Sequence, residues 1–366
     1  MNEDWLYKIA LSKRPGVGGV IARNLVSYCG GVEHVFRYKK YKLLKVPGIG
    51  EQLAANICAP AVLQDAEKEL RAVVRDSITC IFYLDDAYPE RLRHYPQSPV
   101  ILYSRGNMNL NPERAVAIVG TRKPTSYGRG KCEQLVDELA SYRPLILSGL
   151  AYGIDITAHR AALRNHLPTV GVMGSGFGYI YPRGHATVAQ HMMTDGGLIT
   201  EFGYDTDPDR ENFPARNRIV AGLADAVVVV ESARSGGSMI TATFADAYHK
   251  DVFALPGRAG DMSSEGCNFL IKSHKAHLIE CGLDLAELMR WETTRPEKAV
   301  QRQLFADLSE EEQLVVELIG PGVEKHIDLL ANQSKLQLSE LSSVLLSLEF
   351  KGVVKALPGK RYLIVH

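Results

Sequence analysis

Short apolar runs punctuate the middle of the chain at 115–119, 145–147, 169–173, 198–200, 226–230 and 252–255, each followed by a turn-forming or small polar residue. Segments with helical spacing of apolar positions separate them. Strands alternating with helices imply right-handed βαβ crossovers and a parallel sheet covered on both faces. The expected fold over 115–283 is therefore α/β, a Rossmann-like doubly wound parallel sheet.

The flanks follow different patterns. Residues 1–60 contain an approximate repeat: Arg14-Pro15-Gly16-Val17-Gly18 matches Val46-Pro47-Gly48-Ile49-Gly50, and each copy leads into an amphipathic segment. Paired glycines make a tight turn whose free N–H groups face the start of the next helix, the geometry of a helix-hairpin-helix (SAM-like) domain. Such a turn can hold a DNA phosphate, or it can simply cap a small helical bundle with solvated lysines. Residues 61–114 read as a linker and extension packing on the sheet, broken at Leu84-Asp85-Asp86-Ala87-Tyr88-Pro89. Residues 284–307 read as a second linker, because Thr293-Thr294-Arg295-Pro296 ends any helix there. From 308 to 366, a capped start at Ser309, helices near 310–319, 325–333 and 338–351, and a closing hairpin around Leu357-Pro358-Gly359-Lys360 predict a winged helix.

Charge narrows the chemistry. The 366 residues carry 42 Lys and Arg against 42 Asp and Glu, so any anion binding has to be local. Nine basic residues against four acids in 1–60 give that segment an excess near +5, whereas the segment from Arg302 onward has seven against nine. The helix at 338–351 offers only Lys351, so a protein contact is favoured over a duplex-reading role for the winged helix. The run 226–230 is far shorter than the roughly 20 residues of a membrane span. Glu3 and Asp4 stand where a secretory signal would be basic, which makes the cytoplasm the expected compartment. Six scattered cysteines without a CxxC pair predict neither a zinc site nor a disulfide framework.

Ligands of open parallel sheets sit beyond the carboxyl ends of the strands. There the chain places Gly120-Thr121-Arg122, Ser148-Gly149, Gly174-Ser175-Gly176-Phe177 and, after Glu231-Ser232, the run Gly236-Gly237-Ser238. Glycines, hydroxyls and helix starts suit a row of phosphates. Arg122, Arg183, Arg216 and Arg218 add guanidinium forks matched to phosphate oxygens, and Asn217 adds an amide. For a single strand, aromatic platforms are needed as well. Tyr127, Tyr152, Phe177, Tyr179 and Phe213 are the candidates, of which at most two are expected to serve.

Other chemistries find little support. No helix opens after Gly174-Ser175-Gly176, no acid ends the second strand, and no GxxxxGK[ST] occurs, which argues against NAD and ATP. No cofactor, metal site or catalytic set is expected. Asp155 and His159, at i and i+4, read as an intrahelical hydrogen-bonded pair. Glu201 and Glu231 at strand ends keep open an alternative, a nucleotide-processing enzyme of the N-glycoside hydrolase type.

Four longer motifs carry a family resemblance. They are Val116 through Gly128 (VAIVGTRKPTSYG), Ser148 through Asp155 (SGLAYGID) continuing to His159, Phe213 through Gly222 (FPARNRIVAG), and Ser235 through Ala242 (SGGSMITA). Together they resemble the DNA-processing protein A (DprA/Smf) family. The resemblance implies a non-enzymatic cytoplasmic protein that binds and protects single-stranded DNA. It also implies a role in loading a RecA-type recombinase during natural transformation and homologous recombination, and homodimerisation through the Rossmann-like domain. Single-strand-binding protein is a further partner it suggests. By position, Arg122 would clamp a phosphate, Arg183 would replace a lysine usual in the family, and Arg216 with Arg218 would line the groove. The chain departs from the family at Ala215, where a basic residue is common, and at Tyr248-His249-Lys250, which replaces a Glu-Gly-Arg run.

Overall fold

The computed structural model describes residues 3–59, 61–292, 308–320, 323–334, 336–351, 353–357 and 359–364. The chain divides into two compact units, Met1–Arg295 and Pro296–His366.

In the first unit, strands β1 (Thr79–Phe82), β2 (Ile101–Arg105), β3 (Ala115–Val119), β4 (Leu145–Ser148), β5 (Thr169–Val172), β6 (Gly196–Thr200), β7 (Ala226–Val229), β8 (Asp251–Ala254) and β9 (His277–Leu278) form one sheet. Its order is β1-β2-β6-β5-β4-β3-β7-β8-β9. Every pairing from β6 to β9 is parallel, whereas β1 and β2 join antiparallel. The chain runs outward from β3 through β4, β5 and β6, then returns to place β7 on the other side of β3. That reversal makes the carboxyl end of β3 the switch point where such sheets leave a crevice.

Alternate residues of each central strand serve opposite faces, as the period of a strand requires. Ala115, Ala117 and Val119 pack with Val227 and Val229 under the helices Asn212–Leu223 and Gly237–Ala247. Val116, Ile118 and Val228 pack under the helices Ser126–Leu139 and Ile154–Arg164. Val227, Val228 and Val229 are fully buried, and each contributes about 1.5–3 kcal/mol relative to exposure.

The N-terminal helices share a core with the sheet: Ile9, Leu25 and Leu70 pack in one cluster with Tyr103, Met173 and Leu198. The glycine repeat forms two equivalent turns. Gly16 and Gly48 both have φ of 84°, and Gly18 and Gly50 each precede a helix. The turns pack reciprocally, Gly16 against Leu53 and Gly48 against Ile21. Much of the basic excess here is neutralised internally. Lys8 pairs with Asp4 and Asp85, Lys13 with Glu69, Arg14 with Asp65, Arg37 with Glu33 and Lys40 with Glu51.

The stretch read as a linker and extension packing on the sheet, 61–114, and the stretch read as a linker, 284–307, both hold regular structure. Within 61–114, β1 and β2 extend the sheet itself, their Ile81 and Leu102 buried in its core. Within 284–307, residues up to 288 belong to the helix Gly282–Leu288, whose Leu285 and Ala286 are buried beside the helix Ser126–Leu139. The part from 293 to 307, with Thr293-Thr294-Arg295-Pro296, lies outside the described residues.

The second unit is a winged helix. Helices Glu310–Ile319, Ile327–Ser334 and Leu338–Phe350 surround Leu330, Leu341, Leu345 and Leu348, and β10 (Lys325–His326), β11 (Val354–Leu357) and β12 (Arg361–Ile364) form a sheet of order β10-β12-β11. Pro358 of the hairpin turn is outside the described residues. Glu312 ties the unit together. Its carboxylate accepts from the Ser309 N–H at 2.8 Å, the Ser347 hydroxyl at 2.6 Å and the Lys351 ammonium at 2.7 Å. These donors hold its pKa down, to about 2, the Lys351 bond contributing most.

Candidate nucleic-acid interface

A cavity of about 920 Å³ opens at the carboxyl ends of β3, β4 and β7. One wall is the turn after β3. There Thr121 N–H donates to Glu231 O at 2.7 Å, and the Ile154 N–H donates to Thr121 O at 3.2 Å. The turn demands glycine for close approach: a Cβ on Gly120 would lie 2.6 Å from Ile154 Cγ1. Gly153, at φ 82°, would set a Cβ 2.2 Å from Thr121 O. Arg122 and Lys123 emerge from this knot exposed and line the cavity.

Arg122 lies over the Phe213 ring, 5.5 Å from its centroid, and Tyr181 lies 5.9 Å from Phe213 on an inclined plane. Gly174 makes room for the ring, since a Cβ there would come within 2.8 Å of Phe213 Cδ1. Around this pair a small apolar hollow of about 20 Å³ is bounded by Leu150, Tyr152, Met173 and Tyr181. Opposite, Gly236 is the N-cap of the helix Gly237–Ala247, with no side chain capping it. Its first turn, with the buried Ser238 hydroxyl bonded to Ser232 at 2.7 Å, also lines the cavity. A cationic arginine, a helix start and an aromatic ring thus face one volume of ligand-pocket size.

The floor is a buried charge system. Arg216 donates to Val172 O and, at 3.2 Å through Nε, to Asn217 Oδ1. Asp155 accepts from the Ala151 N–H at 3.4 Å. Both groups crowd Gly149, where a Cβ would be 2.4 Å from Arg216 Nη1 and from Asp155 Oδ2. Gly149 therefore makes room for a guanidinium and a carboxylate. Burial pulls the Arg216 pKa down and pushes the Asp155 pKa up, and each charge opposes the shift of the other.

Of the residues expected at the site, Gly120, Thr121, Arg122, Gly149, Phe213, Arg216, Asn217, Gly236, Gly237 and Ser238 line the cavity, and Gly174 lines the small hollow beside it. Others are placed elsewhere. Ser148 is buried and donates to Ile118 O at 2.6 Å. Ser175 donates to Tyr179 O at 2.7 Å, Gly176 N–H to Thr206 O at 2.9 Å, and Phe177 packs into the N-terminal core. Arg183 sits exposed in the turn Arg183–His185, away from the cavity lining. Arg218 turns away and pairs with Glu201. The cavity gains Lys123, Arg210 and Tyr181 instead. Arg210 stands among Asp207, Asp209 and Glu211 and away from any strand-end glycine, so no local motif marks it. Among the aromatic candidates, Tyr152 and Phe213 border the site, whereas Tyr127 donates to Pro256 O at 3.0 Å and Tyr179 borders neither hollow.

The Asp155–His159 pair does not form. The His159 ring lies between Thr169 Oγ1 at 2.7 Å and Gly149 O at 2.6 Å. Burial brings its pKa down to about 4, so it is neutral at pH 7, Nε2–H donating to the carbonyl, while the single Thr169 hydroxyl proton is shared between Nδ1 and Ile146 O, 2.9 Å away. Glu231 is absent from the cavity lining: its carboxylate accepts from the N–H and hydroxyl of Thr125, at 3.0 and 3.2 Å. Among the described residues, no three His, Cys, Asp or Glu side chains gather as a metal site, and no helix is long and apolar enough to cross a membrane.

The first unit is a Rossmann-like α/β sheet with an arginine and aromatic cleft at its switch point, and the chain continues into a winged helix. The family model for DNA recombination-mediator protein A matches residues 79–290, and that for the DprA winged helix domain matches 299–360. The chain belongs to this DprA/Smf family. Protein Smf of Escherichia coli is 34% identical over 276 residues, 74% of each chain. The X-ray structure of DNA processing protein A from Streptococcus pneumoniae superposes with a TM-score of 0.65 at 30% identity, covering 80% of this chain and 99% of that one. DNA processing protein A from Helicobacter pylori, a protein with a described single-stranded DNA binding mode, gives a TM-score of 0.54 at 30% identity over 59% of this chain and 97% of its own.

Proposed function

We propose that this protein binds single-stranded DNA in the cleft above β3, protects it, and delivers it to a RecA-type recombinase in natural transformation and homologous recombination. It would do so in the cytoplasm, as a homodimer and without catalytic turnover. In this reading 115–283 carries the strand and 308–366 meets a partner. The observation that carries it is Arg122 over the Phe213 ring, 5.5 Å from its centroid, at a cavity that the uncapped start of the helix Gly237–Ala247 also lines. Phosphate neutralisation supplies affinity, and the Phe213 and Tyr181 rings supply a platform that paired bases in a duplex cannot reach. Membership of the recombination-mediator family and the single-strand binding of the Helicobacter pylori relative support the same conclusion.

The N-glycoside hydrolase alternative needs a carboxylate aimed at a ribose; Glu231, its candidate, is engaged by Thr125 outside the cavity, and Asp155, which does line it, is held in the floor by the Ala151 N–H and the Arg216 charge. The apolar exposed face of the helix Leu338–Phe350, with Leu338, Leu346 and Phe350 outward and Lys351 bound to Glu312, supports protein contact by the winged helix.

The test is a shift assay with single-stranded and double-stranded oligonucleotides at two salt concentrations, alongside an assay for released base. Tighter, salt-sensitive binding of single strands with no base release is expected. Equal affinity for both forms, or base release, would overturn the reading.

A further inference from the structure

A second hollow, of about 570 Å³, shares Arg122 and Lys123 with the main cavity. Arg129 from the helix Ser126–Leu139 and Arg160 from the helix Ile154–Arg164 complete a ring of four cations, and no Asp or Glu lines it. Arg37, Arg71, Arg75, Arg91 and Arg164 all face an acid, and Arg164 stands on the same helix as Arg160. Among the described residues none of Arg122, Lys123, Arg129 and Arg160 has an acid within 4.0 Å, and all four are exposed. Exposed like charges gathered in one hollow raise the local positive potential, which draws anions from solution. Tyr152, 53% exposed and edge-on to His185 at 4.7 Å, lines both this hollow and the small one beside Phe213. An aromatic surface and two shared cations therefore lead from one cleft into the other.

We propose that this hollow is a second phosphate-binding cleft for the same single strand, receiving the nucleotides that flank those in the main cavity. Arg129 and Arg160 contact phosphates there, and Tyr152 offers a base platform. The inference rests on the single-strand reading of the main cavity and extends its footprint.

The full chain and its Arg129→Ala/Arg160→Ala double variant are titrated with oligothymidylates of about 4 and about 16 nucleotides, a range typical of single-strand sites, at several salt concentrations. On the long oligomer the variant's log–log salt slope falls by about 1.4, at about 0.7 per lost single-strand contact, or about sevenfold in affinity change across a fourfold salt range. On the short one, parent and variant agree. The Arg129→Lys/Arg160→Lys variant keeps the parental slope and carries the comparison should the alanine variant fail to fold. An alanine variant indistinguishable from the parent on the long oligomer, or equally impaired on both, overturns this inference alone. A parent chain that binds neither oligomer overturns the underlying reading and this inference with it.

Discussion

The carboxylate of Glu231, at the end of β7, accepts both the N–H and the hydroxyl of Thr125, at 3.0 and 3.2 Å, while its carbonyl accepts the Thr121 N–H at 2.7 Å. One residue thus pins both ends of the turn that presents Arg122 and Lys123. Gly128 accommodates it, since a Cβ there would fall 1.9 Å from Glu231 Oε2. Glu231→Ala leaves the partly buried amide of Thr125 unpaired and is expected to cost about 1–3 kcal/mol of stability. It should also loosen residues 120–125, read as faster amide exchange in that turn together with weaker oligonucleotide binding. Unchanged exchange there would show that the turn holds itself.

The arginines divide by partner. Arg122→Ala is expected to weaken binding of every sequence and to reduce the single-strand salt slope by about 0.7. Arg218→Ala should leave that slope untouched, because its guanidinium is committed to Glu201. It should instead lower stability by up to about 3 kcal/mol, since it strands a largely buried carboxylate. Titrations at several salt concentrations, with a urea denaturation of each variant, separate the two outcomes.

Gly149→Ala places a methyl group 2.4 Å from both Arg216 Nη1 and Asp155 Oδ2. The two charged groups must part or the strand end must shift. Overpacking of this kind costs about 1–3 kcal/mol. The denaturation midpoint should fall, and oligonucleotide affinity should fall with it, because the cavity floor is displaced. A variant with parental midpoint and affinity would mean that the floor can yield freely.

His159 ties stability to pH. Its folded pKa lies near 4, below the ordinary 6.5, so the unfolded chain binds the extra proton between those values. The stabilisation is complete above about pH 6.5 and is lost as the pH falls toward 4, on the order of 3 kcal/mol in all. Melting temperatures of the parent should drop more steeply across that window than those of His159→Asn, which is uncharged at every pH. Parallel curves would remove His159 as the cause.

Much of the architecture follows from local pattern. The strands of the central sheet start and stop within a residue or two of the apolar runs, because a strand buried on both faces must be apolar throughout and must end where glycine or a hydroxyl turns the chain. The glycine repeat near the N-terminus, the winged-helix order and the cluster of motifs beyond β3, β4 and β7 are legible for the same reason. The two antiparallel strands at one edge carry no comparable local signal. Thr79–Phe82 and Ile101–Arg105 are short, and it is pairing of β1 with β2, and of β2 with β6, that makes them strands.

Side-chain direction was decided in three dimensions. Arg216 and Arg218 are two residues apart on one helix, yet one goes under the cavity to Val172 and Asp155 and the other outward to Glu201. Two positions turn a helix by about 200° at 3.6 residues per turn, and which face meets an acid depends on strands far away in the chain. Glycines tell the same story: Gly149 and Gly174 stand at strand ends as a phosphate cradle would require, but the space they leave is taken by Arg216, Asp155 and Phe213. Residue type and spacing locate the rim of the sheet, and only packing among distant segments selects which charges remain there for a ligand.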